Sequence, residues 1–203
     1  MTQGLSRRDA FAKRLFDILL AGTGLLLLGW WMILLLIAAA SIDTRRFGLF
    51  MQRRIGRHGR PFTVYKIRTM RAVSGVDTTV TASNDVRITR LGSVLRRFKL
   101  DELPQLLNIL VGDMSFVGPR PDVAGYADRL EGPDRVILGV RPGITGPATL
   151  KYRDEEAILA VQPSPQEYND KVIWPDKVRI NRMYVEQWSF RADLAYIWKT
   201  LKG

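Results

Sequence analysis

A chain of 203 residues that is 46% hydrophobic is long enough for one ordinary globular unit plus an appendage, and its excess of 31 Lys and Arg over 20 Asp and Glu calls for an anionic partner. Nucleic acid, an acidic membrane surface and phosphorylated substrates all satisfy that charge. The absence of cysteine excludes disulfides, thiolate metal sites and cysteine nucleophiles, and a single histidine excludes a histidine-built metal cluster.

Residues 1–14 are polar and basic, with Arg7, Arg8, Lys13 and Arg14 leading into a charge-free apolar run over residues 18–42. As one helix that run would be about 37 Å long, enough for a hydrocarbon core of about 30 Å, and it is too long for a cleaved signal peptide. The other flank is basic too: Arg45, Arg46, Arg53, Arg54, Arg57 and Arg60 follow. Positive charge prefers the cytoplasmic side, so two basic flanks favour a segment that enters and leaves by the same face. Such a bend needs a break, for which Gly22, Gly24 and Gly29 are candidates. Hydropathy alone equally allows a plain single-pass helix.

Residues 49–55 and 62–70 are short β-prone runs around a basic Gly56-Arg57-His58-Gly59-Arg60 turn, which predicts a hairpin with His58 in its solvated loop. Alternation puts Phe62, Val64, Lys66 and Arg68 on one face. The two cations on it either sit at a solvated edge or point into an anion site. Residues 73–85 read as a Ser/Thr/Gly-rich loop, followed by a short helix to Lys99 with Val94, Leu95 and Phe98 as its apolar side.

Next comes Leu100-Asp101-Glu102-Leu103-Pro104-Gln105-Leu106-Leu107-Asn108. Leu103, Leu106, Leu107 and Leu110 recur at helical spacing and Pro104 is tolerated only in a first turn, so a helix is expected from about Asp101 or Glu102. Arg96, Arg97 and Lys99 just upstream would keep an acid there ionised and could receive a phosphate beside it. Asp101 is then either a positioned nucleophile or an ordinary N-cap, with Glu102 a first-turn acid. Further on, Arg120 lies between Pro119 and Pro121, a rigid presentation suited to phosphate recognition as well as to a plain loop, and Arg141 precedes a similar Pro142-Gly143 device. A helix-like acidic patch at residues 154–156 and a loop with Pro163 and Pro165 follow. Pro175 opens another helix, with Val178, Val185 and Trp188 facing inward. Phe190, Leu194, Ile197, Trp198 and Leu201 form a closing stripe that fits either a core or a membrane interface.

Taken together, several motifs resemble the bacterial sugar transferase family, the monotopic phosphoglycosyl transferases. They are Lys13-Arg14-Leu15-Phe16-Asp17, Gln52-Arg53-Arg54-Ile55-Gly56, Tyr65-Lys66-Ile67-Arg68-Thr69-Met70 and the run of residues 84–92. Residues 100–108, residues 112–121 and Arg141-Pro142-Gly143-Ile144-Thr145-Gly146 complete the set, seven motifs in fixed order. The resemblance implies a mostly helical α/β fold in minimal single-domain form. It would comprise a basic N-terminus with a re-entrant membrane helix (1–46) and a compact cytosolic catalytic unit with a small β-hairpin and interfacial amphipathic helices (47–203). It implies transfer of a phosphosugar from a nucleotide-diphosphate sugar, expected to be a UDP-sugar, to polyprenyl phosphate at the cytoplasmic face of the bacterial inner membrane, starting surface-glycan assembly. Asp101 would be the covalent nucleophile and Mg²⁺ ligand, Glu102 its supporting partner, and Lys66, Arg96, Arg120 and Arg141 the phosphate-binding cations. No nucleic acid is expected. Two departures stand out: Gly29-Trp30 occupies the place of the family's Ser-Pro break, and Pro147-Ala148-Thr149-Leu150-Lys151-Tyr152-Arg153 follows Gly146 where many members carry a different run, so sugar identity does not carry over. A membrane-tethered binding module for lipid or nucleic acid and a lipid-linked phosphatase are the rival readings.

Overall fold

The computed structural model describes residues 5–72 and 85–202; most of the Ser/Thr/Gly-rich loop expected at residues 73–85 lies outside them. Helix α1 (Arg7–Gly24) is capped by Ser6, whose hydroxyl accepts from the Asp9 amide at 3.2 Å. It runs through one π-helical turn, Leu25–Gly29, into α2 (Trp30–Thr44). The two limbs meet at 66°, and no single helix among the described residues is long and apolar enough to cross a membrane. Gly29 makes this turn possible, because a Cβ there would come within 3.0 Å of Leu25 and 3.1 Å of the Gly24 carbonyl. The break therefore falls where the sequence suggested, next to Trp30.

Each limb has an outward apolar side and a side pressed on the rest of the chain. Leu19, Leu26, Leu27, Trp30, Leu34 and Leu35 are exposed. Ala21 of α1 is buried with Val64, Ile109 and Met114, and Ala40 of α2 with Ile67 and Leu95. Polar ties fix α1 more firmly than apolar contact alone. Lys13 forms a buried ion pair with Asp193, and Asp17 accepts from the Ser115 hydroxyl and the Phe116 amide, both at 3.1 Å. Arg14 donates to the carbonyls of Ile109 and Leu110, in the last turn of a helix at its negative end.

The expected hairpin forms: β1 (Leu49–Ile55) pairs antiparallel with β2 (Pro61–Ile67), from Leu49↔Ile67 to Ile55↔Pro61. Its turn needs left-handed backbone at His58 and Gly59. Helix α3 (Arg90–Arg97) is capped by Thr89, which accepts from the Gly92 amide at 2.8 Å. Only Leu95 of its expected apolar trio is buried, against Ala40 and Ile67, while Val94 and Phe98 are exposed.

The helix expected from Asp101 starts later. Lys99 takes a left-handed conformation, residues Leu100–Glu102 form a single 3₁₀ turn, and α4 (Gln105–Val111) follows with Pro104 as its N-cap. Asp101 is thus a turn residue between two helices, not the cap of one. Helix α4 is pinned to the sheet by Asn108, whose Oδ1 accepts from the Tyr65 amide (3.1 Å) and whose Nδ2 donates to the Thr63 carbonyl (2.7 Å). The side chain satisfies the free edge of β2 as another strand would.

A second, parallel pair was not expected: β3 (Ser115–Val117) beside β4 (Gly143–Thr145). Its backbones come so close at Gly118 and Gly143 that a Cβ on either would lie 2.4 Å or 2.1 Å from main-chain atoms. This stack holds the Pro119-Arg120-Pro121 segment in place. The remainder is helical: α5 (Pro147–Lys151), α6 (Glu155–Ala160), α7 (Pro165–Tyr168), a π turn at Asn169–Ile173, α8 (Trp174–Glu186) and α9 (Phe190–Lys202). Pro165, expected in a loop, opens α7, and Pro175 sits beyond the π turn, where the helical hydrogen-bond ladder is already interrupted. Val117, Val136, Val140, Tyr184 and Val185 form a further core cluster, with Trp188 packed on it as expected. On α9 the side facing this core carries the buried Asp193, held by Lys13, by the Tyr184 hydroxyl (2.8 Å) and by Trp188 Nε1 (3.0 Å). The closing stripe is largely on the surface: Leu194, Trp198 and Leu201 are exposed, which answers the core reading for those three. The fold is mostly helical with two small sheets.

Candidate active site

The 3₁₀ turn carries Asp101 and Glu102 into the crevice between β2 and the Pro119-Arg120-Pro121 loop, and both acids are buried. Glu102 is fully engaged. Arg120 Nη2 donates to its Oε1 at very short range and Nη1 faces Oε2 at 3.5 Å, while Lys66 Nζ reaches Oε1 at 3.5 Å. Asp101 is the opposite case: its Oδ1 is buried with no hydrogen-bond partner. A buried carboxylate oxygen without a donor is costly, so its retention is informative about ligands.

The electrostatics separate the two acids. Burial pushes Glu102 upward, but the Arg120 and Lys66 charges outweigh it and hold the carboxyl well below the usual carboxylate range. Burial and the neighbouring Glu102 charge push Asp101 above its ordinary value, against the pull of Lys66, Arg96 and Arg120. The expectation that the upstream cations would simply keep Asp101 ionised therefore needs correcting: Arg97 and Lys99 are exposed, and the strongest pairing goes to Glu102 instead. Lys66 is itself pushed down by burial, with Glu102 opposing.

Of the two cations on the Phe62 face of β2, Lys66 turns into the site. Arg68 stays at the edge, donating to the Phe47 carbonyl (2.8 Å) with its guanidinium over Phe50. Arg96 flanks the site on the α3 side, paired with Glu156 at very short range and facing Thr69 Oγ1 at 3.4 Å, while its Nε is buried without a partner. Arg141 is turned elsewhere: its Nε donates to the Gly112 carbonyl at 2.7 Å, at the end of α4 that Arg14 also serves. The reason is local, since Gly112 terminates α4 in a left-handed conformation and leaves carbonyls in need of donors. Structure thus brings Lys66, Arg96, Asp101, Glu102 and Arg120 together and leaves Arg141 out.

Sequence reasoning missed Arg54 and Asp122. Arg54 is oriented by Gln52 Oε1 (2.7 Å from Nη2) and by the Pro121 carbonyl, and its charge bears on Glu102. Asp122 is pushed up to about 6 by burial, against Lys177, Arg54 and Arg120. Arg54 lay in plain view within the Gln52-Arg53-Arg54 run; its two-residue offset from Gln52 places both on one strand face.

A family model described as bacterial sugar transferase matches residues 8–203. The chain belongs to the bacterial sugar transferase family. It is 36% identical over 199 residues to an uncharacterized sugar transferase of Bacillus subtilis, EpsL, covering 94% of this chain and 85% of that protein. It is 34% identical over 206 residues to the exopolysaccharide production protein ExoY of Rhizobium meliloti, covering 94% and 84%. The UDP-glucose:undecaprenyl-phosphate glucose-1-phosphate transferase of Escherichia coli is 35% identical over 206 residues, 97% of this chain but 41% of that longer protein. Membership makes this bacterial sugar transferase an enzyme and sets aside the reading as a binding module alone.

Proposed function

We propose that this sugar transferase moves a phosphosugar from a nucleotide-diphosphate sugar to polyprenyl phosphate through a covalent adduct on Asp101. The names of relatives support the substrate classes: one from Escherichia coli acts on UDP-glucose and undecaprenyl phosphate, and one from Salmonella typhimurium, 32% identical, is an undecaprenyl-phosphate galactose phosphotransferase. The observation that carries the chemistry is the buried, unpartnered Oδ1 of Asp101 beside a Glu102 already locked to Arg120 and Lys66.

In the first step an Asp101 oxygen attacks the sugar-bearing phosphorus, the bond to the bridging oxygen breaks, and the nucleoside monophosphate leaves with that electron pair. In the second, an oxygen of polyprenyl phosphate attacks the same phosphorus and Asp101 departs as carboxylate, giving a polyprenyl diphosphosugar. Arg120, Lys66 and Arg96 neutralise the phosphates that must meet a negative nucleophile. Glu102 fixes Arg120 and Lys66, which makes it a positioning residue. Mg²⁺ suits this donor set, since magnesium characteristically takes one or two carboxylates plus substrate phosphates and Asp101 has a buried oxygen without a donor. Asp101 would hold it through the oxygen that lacks a donor, and the ion would supply charge neutralisation at the diphosphate.

The acceptor phosphate is anchored in a bilayer, so the site must work at headgroup depth. The bent α1–α2 segment, basic on both flanks and apolar outside, supports a re-entrant insertion from the cytoplasmic face of the bacterial inner membrane by residues 1–46, with residues 47–203 as the cytosolic unit. Exposed Trp198 with Lys202 5.1 Å over its ring supports α9 as an interfacial helix. Because the chain lacks cysteine, Arg8→Cys and Lys202→Cys report topology cleanly. Both should react with a membrane-impermeant maleimide only from the cytoplasmic side, and labelling from opposite sides rejects the re-entrant arrangement.

The reaction itself is tested by UMP release from a panel of UDP-sugars. Continuous release is expected only with both polyprenyl phosphate and Mg²⁺ present, and without the lipid it should stop at no more than one UMP per enzyme, left behind by the adduct. Continuous release without the lipid would point to a hydrolase, and none with any nucleotide donor would overturn the proposal.

A further inference from the structure

Between Lys66 and Arg120 the crevice of the acidic pair holds a notch whose other walls are Arg54, Val64, Gln105 and Pro121, with room for little more than a water-sized group. Its charge is one-sided. Lys66 and Arg120 share Glu102, while Arg54 is oriented by two neutral groups, the Gln52 side chain and the Pro121 carbonyl, so three cations have one ion-paired carboxylate among them. One wall is a neutral polar side chain that the fold does not use. Gln105, four residues after Asp101 and the first residue of α4, is 2% exposed, yet its carboxamide makes no hydrogen bond with any described residue. Asn108, a turn further along the same helix, shows the usual outcome, its carboxamide bonded at both ends to the backbone of β2. The Gln105 amide also differs from the sealed Oδ1 of Asp101, because both of its polar atoms keep an opening to solvent. A buried carboxamide that is unpartnered but reachable is set to take its partner from a ligand.

We infer that Gln105 is a further catalytic residue, whose Nε2 donates to a phosphoryl oxygen of the donor's diphosphate seated in this notch. The inference rests on the reaction proposed above and adds a residue to it. Size decides what the notch can take. A sugar, a base or a whole phosphate is too large, but one non-bridging phosphate oxygen is the size of a water molecule, and the surplus of cations selects an oxygen that carries negative charge. Lys66 ties the notch to the chemistry, since it lines the notch and its charge acts on Asp101. The residue type fits the position. A fourth cation would be repelled by Arg54, Lys66 and Arg120, and an acid would exclude the phosphate, whereas a carboxamide donates a hydrogen bond without adding charge. Burial fixes the side chain before the substrate arrives, so little ordering cost falls on the reaction.

The test uses the full-length protein in detergent with Mg²⁺, a UDP-sugar and polyprenyl phosphate. Gln105→Met keeps the length of the side chain and removes its polar group. Because the amide has no partner in the fold, this variant should melt no lower than the unaltered enzyme. Its kcat/KM for the donor should fall about thirtyfold, as for the loss of one hydrogen bond to a charged oxygen. Donors in which sulfur replaces one non-bridging oxygen, at either phosphate and in either configuration, separate contact from packing. Sulfur accepts hydrogen bonds poorly, so one of these donors should be slow with the unaltered enzyme and lose that penalty with Gln105→Met. Its identity tells whether the attacked or the departing phosphate enters the notch. Gln105→Glu, which keeps the shape, should be slower than Gln105→Met because its carboxylate takes the oxygen's place among the cations. A folded Gln105→Met enzyme within about threefold of the unaltered rate overturns the assignment. So do equal sulfur penalties in both proteins for every such donor, which would mean a packing role, and a clear fall in melting temperature, which would give the amide a partner in the fold. In each of these cases the unaltered enzyme still turns over and only Gln105 loses its role. If the unaltered enzyme forms no product from any nucleotide-sugar, the reaction proposal falls with it.

Discussion

Asp101→Asn is expected to lose turnover by about four orders of magnitude or more, the scale seen when a covalent nucleophile is removed, while the folded protein becomes more resistant to heat. The second half follows from the electrostatics. Burial and the Glu102 charge raise the Asp101 carboxyl above its ordinary 3.8 in the folded state. The folded chain therefore holds that proton more tightly than the unfolded one, and the stability of the unaltered protein falls as pH rises from about 3.8 through the raised folded value. Asparagine has no proton to lose, so its advantage should be absent well below pH 3.8, where both states of the acid are protonated, and should grow as the pH rises from there toward neutral. Melting curves of both proteins at low and neutral pH, alongside UMP release, check this. A variant that melts lower at neutral pH would mean that the buried oxygen is satisfied in a way its surroundings do not explain. Such an opposition between function and stability is common where a reactive group is held in an unfavourable setting.

The second large effect concerns Arg120. Glu102 is buried while the Arg120 side chain is 37% exposed, so removing the arginine strands the carboxylate at a cost of about 2 kcal/mol once solvent screening is allowed for. Arg120→Met should therefore be strongly destabilised through Glu102, with Lys66 at 3.5 Å compensating only in part. Adding Glu102→Gln to Arg120→Met should restore most of the stability and none of the activity, because the stranded charge is gone but the phosphate grip is not rebuilt. Arg120→Lys should keep the fold and lose rate, since an ammonium reproduces the charge without the two-pronged geometry. Denaturant midpoints of the three variants decide it. An Arg120→Met protein as stable as the original would show that the pair is a surface convenience.

Local signals were readable and long-range ones were not. The hairpin could be drawn from the sequence because alternation and a Gly-rich turn are local, and β1 and β2 match the expected runs closely at the turn. The break near Gly29 was readable for the same reason. The start of α4 was misplaced because the leucine spacing and Pro104 fit equally a helix from Asp101 and one from Gln105. What decides between them is the left-handed Lys99, a residue with no conformational preference for that role. The pairing of β3 with β4 rests on three-residue segments separated by a long stretch of turns, too short for any periodicity. Charges were the hardest. Arg120 and Arg141 look alike in sequence, each next to proline, yet one grips Glu102 and the other serves a helix end, and only the folded backbone distinguishes them.

The way α1 is fastened bears on how this enzyme can be handled. Lys13, Arg14 and Asp17 bind α9, the end of α4 and the start of β3 respectively, so the same helix that begins the apolar segment also braces the scaffold beneath the acidic pair. Trimming the chain to obtain a water-soluble catalytic fragment would strand Asp193 without its lysine and uncover the carbonyls that Arg14 serves. The bent segment with its outward apolar side is not a tether clipped onto a finished catalyst. It is a wall of the building, and whatever displaces it is transmitted to the elements that frame the acidic pair.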